Sequence, residues 1–314
     1  MLFIMRKFII VIVLSLLATN LMAQVKTFEY VKRDSISLKL DFYTPQNPRA
    51  DKACVIYCFG GGFFEGSRNG KESERACNAL VEKGFYVASI DYRLGLKNLR
   101  FDTIPALKMH RVFENAINIA TEDCSAAIAF LCNNATTLNI DPKHIILTGC
   151  SAGAIMSLQT DYARANGLPQ AAELPKDFLP AAVIPYAGAV YAHNGKMNYA
   201  TPPAPTCFFH GTTDKIVNYK HFRASIGARL CGANTVVKVF KKNHYSHWIM
   251  RFKNRGHEVA AYLPYTVDEF CAFVDASISG RVMYYDATCQ DAALNPNKWS
   301  KMNIFDLYLK PKKW

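Results

Sequence analysis

The sequence predicts an α/β protein built on a mostly parallel central sheet, with helices on both faces and an antiparallel hairpin at its start. Three observations lead there. Short apolar runs alternate with longer stretches in which apolar residues recur every three or four positions. The apolar runs show little polar alternation, as expected of strands covered on both faces. Half of the 314 residues are hydrophobic and 20% are charged, which can fill one large core and excludes disordered and low-complexity classes.

Residues 1–23 stand apart from that alternation. Arg6 and Lys7 form a basic start, residues 8–17 are apolar apart from Ser15, and residues 18–23 are small and polar enough to be cleaved. These are the three parts of a secretory signal peptide cut after Ala23. The apolar part falls short of the roughly 20 residues that span a bilayer. No Cys follows it and no later stretch reaches that length. The mature chain is therefore expected to be exported, periplasmic or extracellular, with no stable membrane span.

Residues 25–31 and 36–43 form the expected hairpin, with Ile36, Leu38, Leu40 and Phe42 on one face at period two. Residues 53–59 are a buried strand ending at three glycines, 71–83 an amphipathic helix stopped by Gly84, and 85–91 a strand. A long helix is expected over 107–134, a strand over 144–147 after the Asp141-Pro142 turn, and a helix over 151–166 ended by Gly167. Further strands are expected at 181–185, 206–210 and 236–240, and further helices at 220–230 and 258–277. No repeat, linker or composition break interrupts residues 24–280, which are taken as one domain. Residues 281–314 are aromatic-rich and weakly periodic, a C-terminal extension packed on the domain or flexible.

Lys and Arg outnumber Asp and Glu by 37 to 25, yet no block is dense enough for a nucleic-acid-binding arm. No acidic residue lies between Asp214 and Glu258. The basic run there suits a solvated surface, with steering of acidic substrates as the alternative. Export would permit disulfides among the ten cysteines. Most of them sit inside apolar runs, where they behave as small buried hydrophobes. No Cys/His spacing suggests zinc, and no metal or organic cofactor is expected.

The chemistry concentrates at Gly149-Cys150-Ser151-Ala152-Gly153, where an apolar strand runs straight into Gly-x-Ser-x-Gly and then a helix. That context makes a nucleophile elbow: the strained turn lifts the Ser151 hydroxyl out of the strand end and needs very small residues two positions either side. A serine hydroxyl attacks at neutral pH only with a base to take its proton and an acid to orient that base.

Five further stretches accompany the elbow: Phe59-Gly60-Gly61-Gly62-Phe63, Asp91-Tyr92-Arg93-Leu94, Glu122-Asp123, Asp141-Pro142, and His210-Gly211-Thr212-Thr213-Asp214. Together they resemble the α/β-hydrolase superfamily. Within it they resemble hormone-sensitive-lipase-like carboxylesterases and the feruloyl or acetyl esterases that trim plant polysaccharides. The likeness covers most of residues 50–280. It implies a triad in the chain order Ser151, Asp214, His257, with an oxyanion hole made by the backbone N–H groups of Gly60, Gly61 and Ala152. Whether Gly62 takes the place of a neighbour is left open. His244 and His247 remain alternatives to His257 as the base. The resemblance also implies that Cys150 packs away from the site and that Asp91 and His210 are scaffold.

One departure stands out: Phe59 occupies the position where these relatives carry a loop-bracing His. The function so implied is that of an exported serine carboxylesterase working through an acyl-enzyme. Its substrate would be a small-molecule or polysaccharide-borne ester, with residues 191–205 a small insert near the site. The alternatives are an amidase or peptidase using the same triad, or a non-catalytic binding module on the hydrolase scaffold.

Overall fold

A computed structural model describes residues 24–193, 195–223, 228–290 and 298–309. The expected signal segment, residues 1–23, lies outside the described residues. In chain order the strands are β1 (Gln24–Arg33), β2 (Ile36–Thr44), β3 (Cys54–Cys58), β4 (Tyr86–Ile90), β5 (Ile145–Cys150), β6 (Ala182–Tyr186), β7 (Ala189–Ala192), β8 (Thr206–Gly211), β9 (His221–Arg223), β10 (Arg229–Gly232), β11 (His247–Phe252) and β12 (Tyr284–Cys289). Nine of them share one sheet in the order β1-β2-β4-β3-β5-β6-β8-β11-β12. β1 pairs antiparallel with β2, and β2 with β4; every later neighbour is parallel. This is the expected architecture of a mostly parallel sheet opened by a hairpin.

The apolar runs explain the centre of the sheet. Every residue of β3, β4, β6 and β8 is buried, as strands flanked by helices on both faces must be. The long helix Ala106–Asn133 packs against the helix Ala152–Asn166 and against β1. Phe85, at the foot of β4, meets Phe270 of the helix Val267–Ile278 edge-to-face at 5.7 Å. Arg93, just after β4, gives its backbone N–H (2.8 Å) and its guanidinium (2.9 Å) to Asp123 of the long helix, and also reaches Glu122 at 2.9 Å. Arg33 at the end of β1 joins the same fully buried Asp123 carboxylate at 3.2 Å. Two family-like motifs thus serve as a brace between hairpin, sheet and helix.

Three expected elements differ in the structure. Residues 236–240 lie within a helix, Ala233–Lys242, whose buried residues Ala233, Val236, Val237 and Phe240 fall at helical spacing. The β-branched valines there mimic a strand. The true strand is β11, whose His and Arg residues disguise it. The described residues of 220–230 hold β9 and the start of β10 where a helix was expected, because β10 finds a partner edge in β7 and forms a second sheet, β7-β10-β9. Residues 258–277 open as two 3₁₀ turns, His257–Ala261 and Leu263–Tyr265, before the helix Val267–Ile278. Pro264 at the first positions of the second turn blocks a continuous helix.

The described part of 281–314 packs on the body of the protein. β12 takes the outer edge of β11, and a short helix, Ile304–Leu309, follows. Asp286 of β12 pairs with both Lys241 and Arg251, so part of the basic run is neutralised by the structure itself.

Replacing Asp123 by Ala leaves two guanidinium groups without their shared buried carboxylate. Breaking a buried pair in this way typically costs about 3–5 kcal/mol. Urea unfolding of Asp123→Ala is expected to show a loss of that size against the wild type.

Candidate active site

The four loops that carry the site all leave the C-terminal ends of parallel strands, where open α/β sheets place their ligands. Ser151 follows β5 at φ 52°, ψ −118°, a backbone state that ordinarily costs a non-glycine residue about 1–3 kcal/mol. Its surroundings enforce it. Ser151 N–H donates to the Tyr186 carbonyl at 2.9 Å, and its own carbonyl accepts from Ile155 N–H at 2.9 Å. A Cβ at Gly153 would lie 2.0 Å from the Cys58 carbonyl oxygen, and one at Gly149 2.5 Å from the same atom. Only glycine fits on either side of the serine.

His257 stands between Ser151 and Asp214. Its Nε2 is 2.8 Å from Ser151 Oγ, and its Nδ1 is 2.8 Å from Asp214 Oδ2. Asp214 is buried just past β8, where its Oδ1 accepts the N–H groups of Ile216 (2.9 Å) and Val217 (3.0 Å). His210 lies 3.5 Å from Oδ2 and donates to the Val217 carbonyl at 2.9 Å. Burial alone would raise the Asp214 carboxyl. The charge and hydrogen bonds of His257 and His210 more than offset it and hold the group well below the usual carboxylate range. An ionised Asp214 assigns the ring proton of His257 to Nδ1 and leaves Nε2 to accept from the serine.

The alternative bases are placed elsewhere. His247 is the first residue of β11, in register with Thr206 and Tyr284, and its Nδ1 donates to the Tyr245 carbonyl at 2.8 Å. His244 is exposed on the turn before β11 at φ 55°.

The glycine loop after β3 folds over the elbow, with Gly61, Gly62 and Phe63 all at positive φ (123°, 60° and 61°). Gly60 lies against Cys150, where a Cβ would sit 3.1 Å from both the Cys150 sulfur and its carbonyl oxygen. Among the described residues, the N–H groups of Gly61 and Gly62 donate to no backbone carbonyl. The same holds for Gly60, so the expected donors Gly60 and Gly61 and their neighbour Gly62 all stand beside the elbow, with Ala152 opposite at the head of its helix. Cys150 Sγ also lies 3.5 Å from the Tyr57 hydroxyl. Phe59 stacks on Tyr92 at 4.3 Å between ring centroids, and the Tyr92 hydroxyl donates to the Phe59 carbonyl at 2.8 Å. Stacking plus one hydrogen bond braces the loop without an imidazole. Asp91 faces Arg68 at 2.7 Å and the Lys39 N–H, remote from the triad.

Ser151 opens onto two chambers. One, of about 930 Å³, carries Ser67, Lys71, Glu72, Arg75 and Glu258 on its walls beside the glycine loop and His257. The other, of about 510 Å³, is apolar, walled by Phe63, Phe101, Phe113, Tyr191, Phe222 and Tyr308. Leu307, together with Gly62 and Ser151, borders both. Sequence reasoning missed this role for residues 298–309, and the only signal was their aromatic content. It also missed Glu258, a buried carboxylate whose Oε2 accepts the Gly256 N–H at 2.9 Å. The 191–205 stretch contributes Tyr191 to the apolar chamber.

Residues 40–174 match the family model BD-FAE, a span that holds the glycine loop and the elbow but ends before Asp214 and His257. A probable isoprenylcysteine alpha-carbonyl methylesterase from Oryza sativa subsp. japonica is 33% identical over 116 residues, 37% of this chain and 23% of that protein. Esterase B1 of Culex pipiens is 30% identical over 124 residues, 38% of this chain and 21% of that protein. The matched stretch thus spans less than a quarter of these curated relatives. Among solved structures, Thermogutta terrifontis esterase 2 phosphorylated by paraoxon superposes with a TM-score of 0.55 at 20% identity, over 80% of this chain and 93% of that one. The fold is that of an α/β-hydrolase.

Because the Asp214 carboxyl is held low in the folded state, it adds stability that is fully present above its unfolded pKa of about 3.9. That stability is lost as pH falls through the depressed folded value. Urea unfolding of wild type and Asp214→Asn from neutral to strongly acidic pH is expected to show the pH-dependent part of their difference closing only at the acid end.

Proposed function

We propose, from its place among the α/β-hydrolase esterases, that this protein is a serine carboxylesterase working through an acyl-enzyme. The observation that carries the reading is the imidazole of His257 hydrogen-bonded on one side to buried Asp214 and on the other to Ser151 Oγ. In the first half-reaction Ser151 Oγ attacks the ester carbonyl carbon while His257 Nε2 takes its proton. The negative charge on the former carbonyl oxygen faces the N–H groups of the glycine loop and Ala152, each worth about 3 kcal/mol to such a transition state. The tetrahedral intermediate collapses as His257 returns the proton to the leaving alcohol. Water then enters by the same path, with His257 as base, and releases the acid.

The finer proposal is an exported enzyme acting on acetyl or feruloyl esters borne on polysaccharides. Three observations support it. BD-FAE is a family of bifunctional acetyl/feruloyl esterases. The apolar, aromatic-walled chamber suits an acyl group, and the larger chamber, with Ser67, Lys71, Glu72, Arg75 and Glu258 on its walls, suits a hydroxyl-rich alcohol. Residues 1–23 carry the pattern of a signal peptide.

Purified protein is expected to hydrolyse 4-nitrophenyl acetate and to release acetate or ferulate from esterified xylan, while leaving the matching anilide intact. Ser151→Ala should lose turnover and labelling by paraoxon, and Asp214→Asn should lower kcat about 10³–10⁴-fold. Anilide cleavage at a comparable rate would favour an amidase, and activity confined to long-chain lipid esters would sink the polysaccharide reading. Export predicts a mature chain beginning at Gln24, readable by N-terminal sequencing.

A further inference from the structure

One late segment touches three of the four loops that build the triad and its donor pocket. The Tyr308 hydroxyl donates to the Gly62 carbonyl at 3.0 Å. Ile304 N–H donates to the carbonyl of Lys215, the residue after Asp214, at 3.2 Å, and Asn303 bridges to Lys215 in parallel. Ser300 lies so close to Gly256, the residue before His257, that a Cβ there would sit 2.5 Å from the Ser300 carbonyl oxygen. The segment is itself built to hold its shape. Asn303 and Asp306 cap each other's backbone N–H groups at 3.0 and 3.1 Å, a reciprocal capping box at the head of the helix Ile304–Leu309. The Tyr308 ring is set against Phe64, Phe101 and Phe113, with centroids 5.5, 5.0 and 4.8 Å away.

The Gly62 contact matters because of what glycine allows. Peptide planes between glycines turn at little cost, and a donor pocket works only if its N–H groups are already aimed. The plane carrying the Gly62 N–H is held by the Gly61 carbonyl, which accepts from Phe64 and Glu65 N–H at 3.1 Å each. The plane on the other side of Gly62 is held by Tyr308. Without that hydroxyl, Gly62 keeps only one of its two anchors. Leu307, the residue before, is buried and borders both chambers.

We infer that Tyr308 is a positioning residue for the donor pocket and that Leu307, as the partition between the chambers, sets the acyl preference. The inference rests on the esterase reading above. It assigns to the C-terminal segment a share in catalysis that the BD-FAE match, ending at residue 174, does not cover.

Tyr308→Phe removes the hydroxyl and keeps the ring in its aromatic nest, so its thermal midpoint should match the wild type. With rates expressed per serine labelled by paraoxon, kcat on 4-nitrophenyl acetate is expected to fall about five- to tenfold, the value of one neutral hydrogen bond. KM should stay within about twofold, the signature of an interaction felt in the transition state. Leu307→Ala is expected to shift kcat/KM toward longer acyl chains by about tenfold relative to acetate, the usual worth of a pocket wall. Unchanged kcat per labelled serine in Tyr308→Phe, or a rise in KM alone, overturns the positioning role. An unchanged chain-length profile in Leu307→Ala overturns the partition. A wild type that hydrolyses no ester takes down the esterase reading itself, and this inference with it.

Discussion

The site depends on one close approach. β3 and β5 are parallel neighbours with Cys58 opposite Gly149, and the chain leaving β5 turns back so sharply that Gly153 presses on the Cys58 carbonyl. That contact keeps Ser151 at positive φ and brings the glycine loop, which leaves β3 one residue later, directly over the serine. Nucleophile and donor pocket are therefore placed by a single packing event between two buried strands. The base and its acid arrive from β11 and β8, next to each other on the other side of β6. Any change that separated β3 from β5 would misplace the hydroxyl and its donors together.

Charge is handled by the same economy of position. Asp214 is the carboxylate that His257 meets, and it is surrounded by two imidazoles and two backbone N–H groups. Those partners keep it ionised despite burial, which in turn fixes the proton of His257 on Nδ1. Two further buried acids are occupied elsewhere: Asp123 with Arg93 and Arg33, and Asp161 with Arg164. Asp91 has Arg68. The basic run ahead of His257 is partly spent on Asp286 of β12.

Much of this was legible in the residues, and what was not has physical causes. Local patterns carried the reading well where chemistry is local: the glycines of the elbow, the strand before it, and the acid just past β8. The order of nucleophile, acid and base came from resemblance, and spacing alone could not choose between His244, His247 and His257. That choice needed the sheet, because β11 draws His247 into a strand and leaves His257 on the loop beyond. Valines at 236, 237 and 239 misled because β-branched residues tolerate helices when one face is buried. The choice among Gly60, Gly61 and Gly62 as donors was unreadable, since three consecutive glycines differ only in backbone geometry. Residues 298–309 were unreadable for a different reason: their partners, Gly62, Lys215 and Gly256, are scattered along the chain.

Ten thiols in a chain proposed to be exported pose an apparent conflict, since oxidising compartments join exposed cysteines. The structure resolves it by burial. All ten are free, and Cys54, Cys58, Cys77, Cys124, Cys207 and Cys231 are buried, most of them with no exposed surface at all. Burial pushes thiols up: those of Cys132 and Cys231 to about 11, and those of Cys54, Cys58, Cys77 and Cys207 further still. A thiol attacks or oxidises through its thiolate, so groups held this far above neutral pH are chemically quiet. Even Cys150, beside the nucleophile, is raised by burial and engaged by the Tyr57 hydroxyl. The reactive hydroxyl and the inert thiol are thus adjacent in sequence. The elbow turns the first toward His257 and the second toward the sheet.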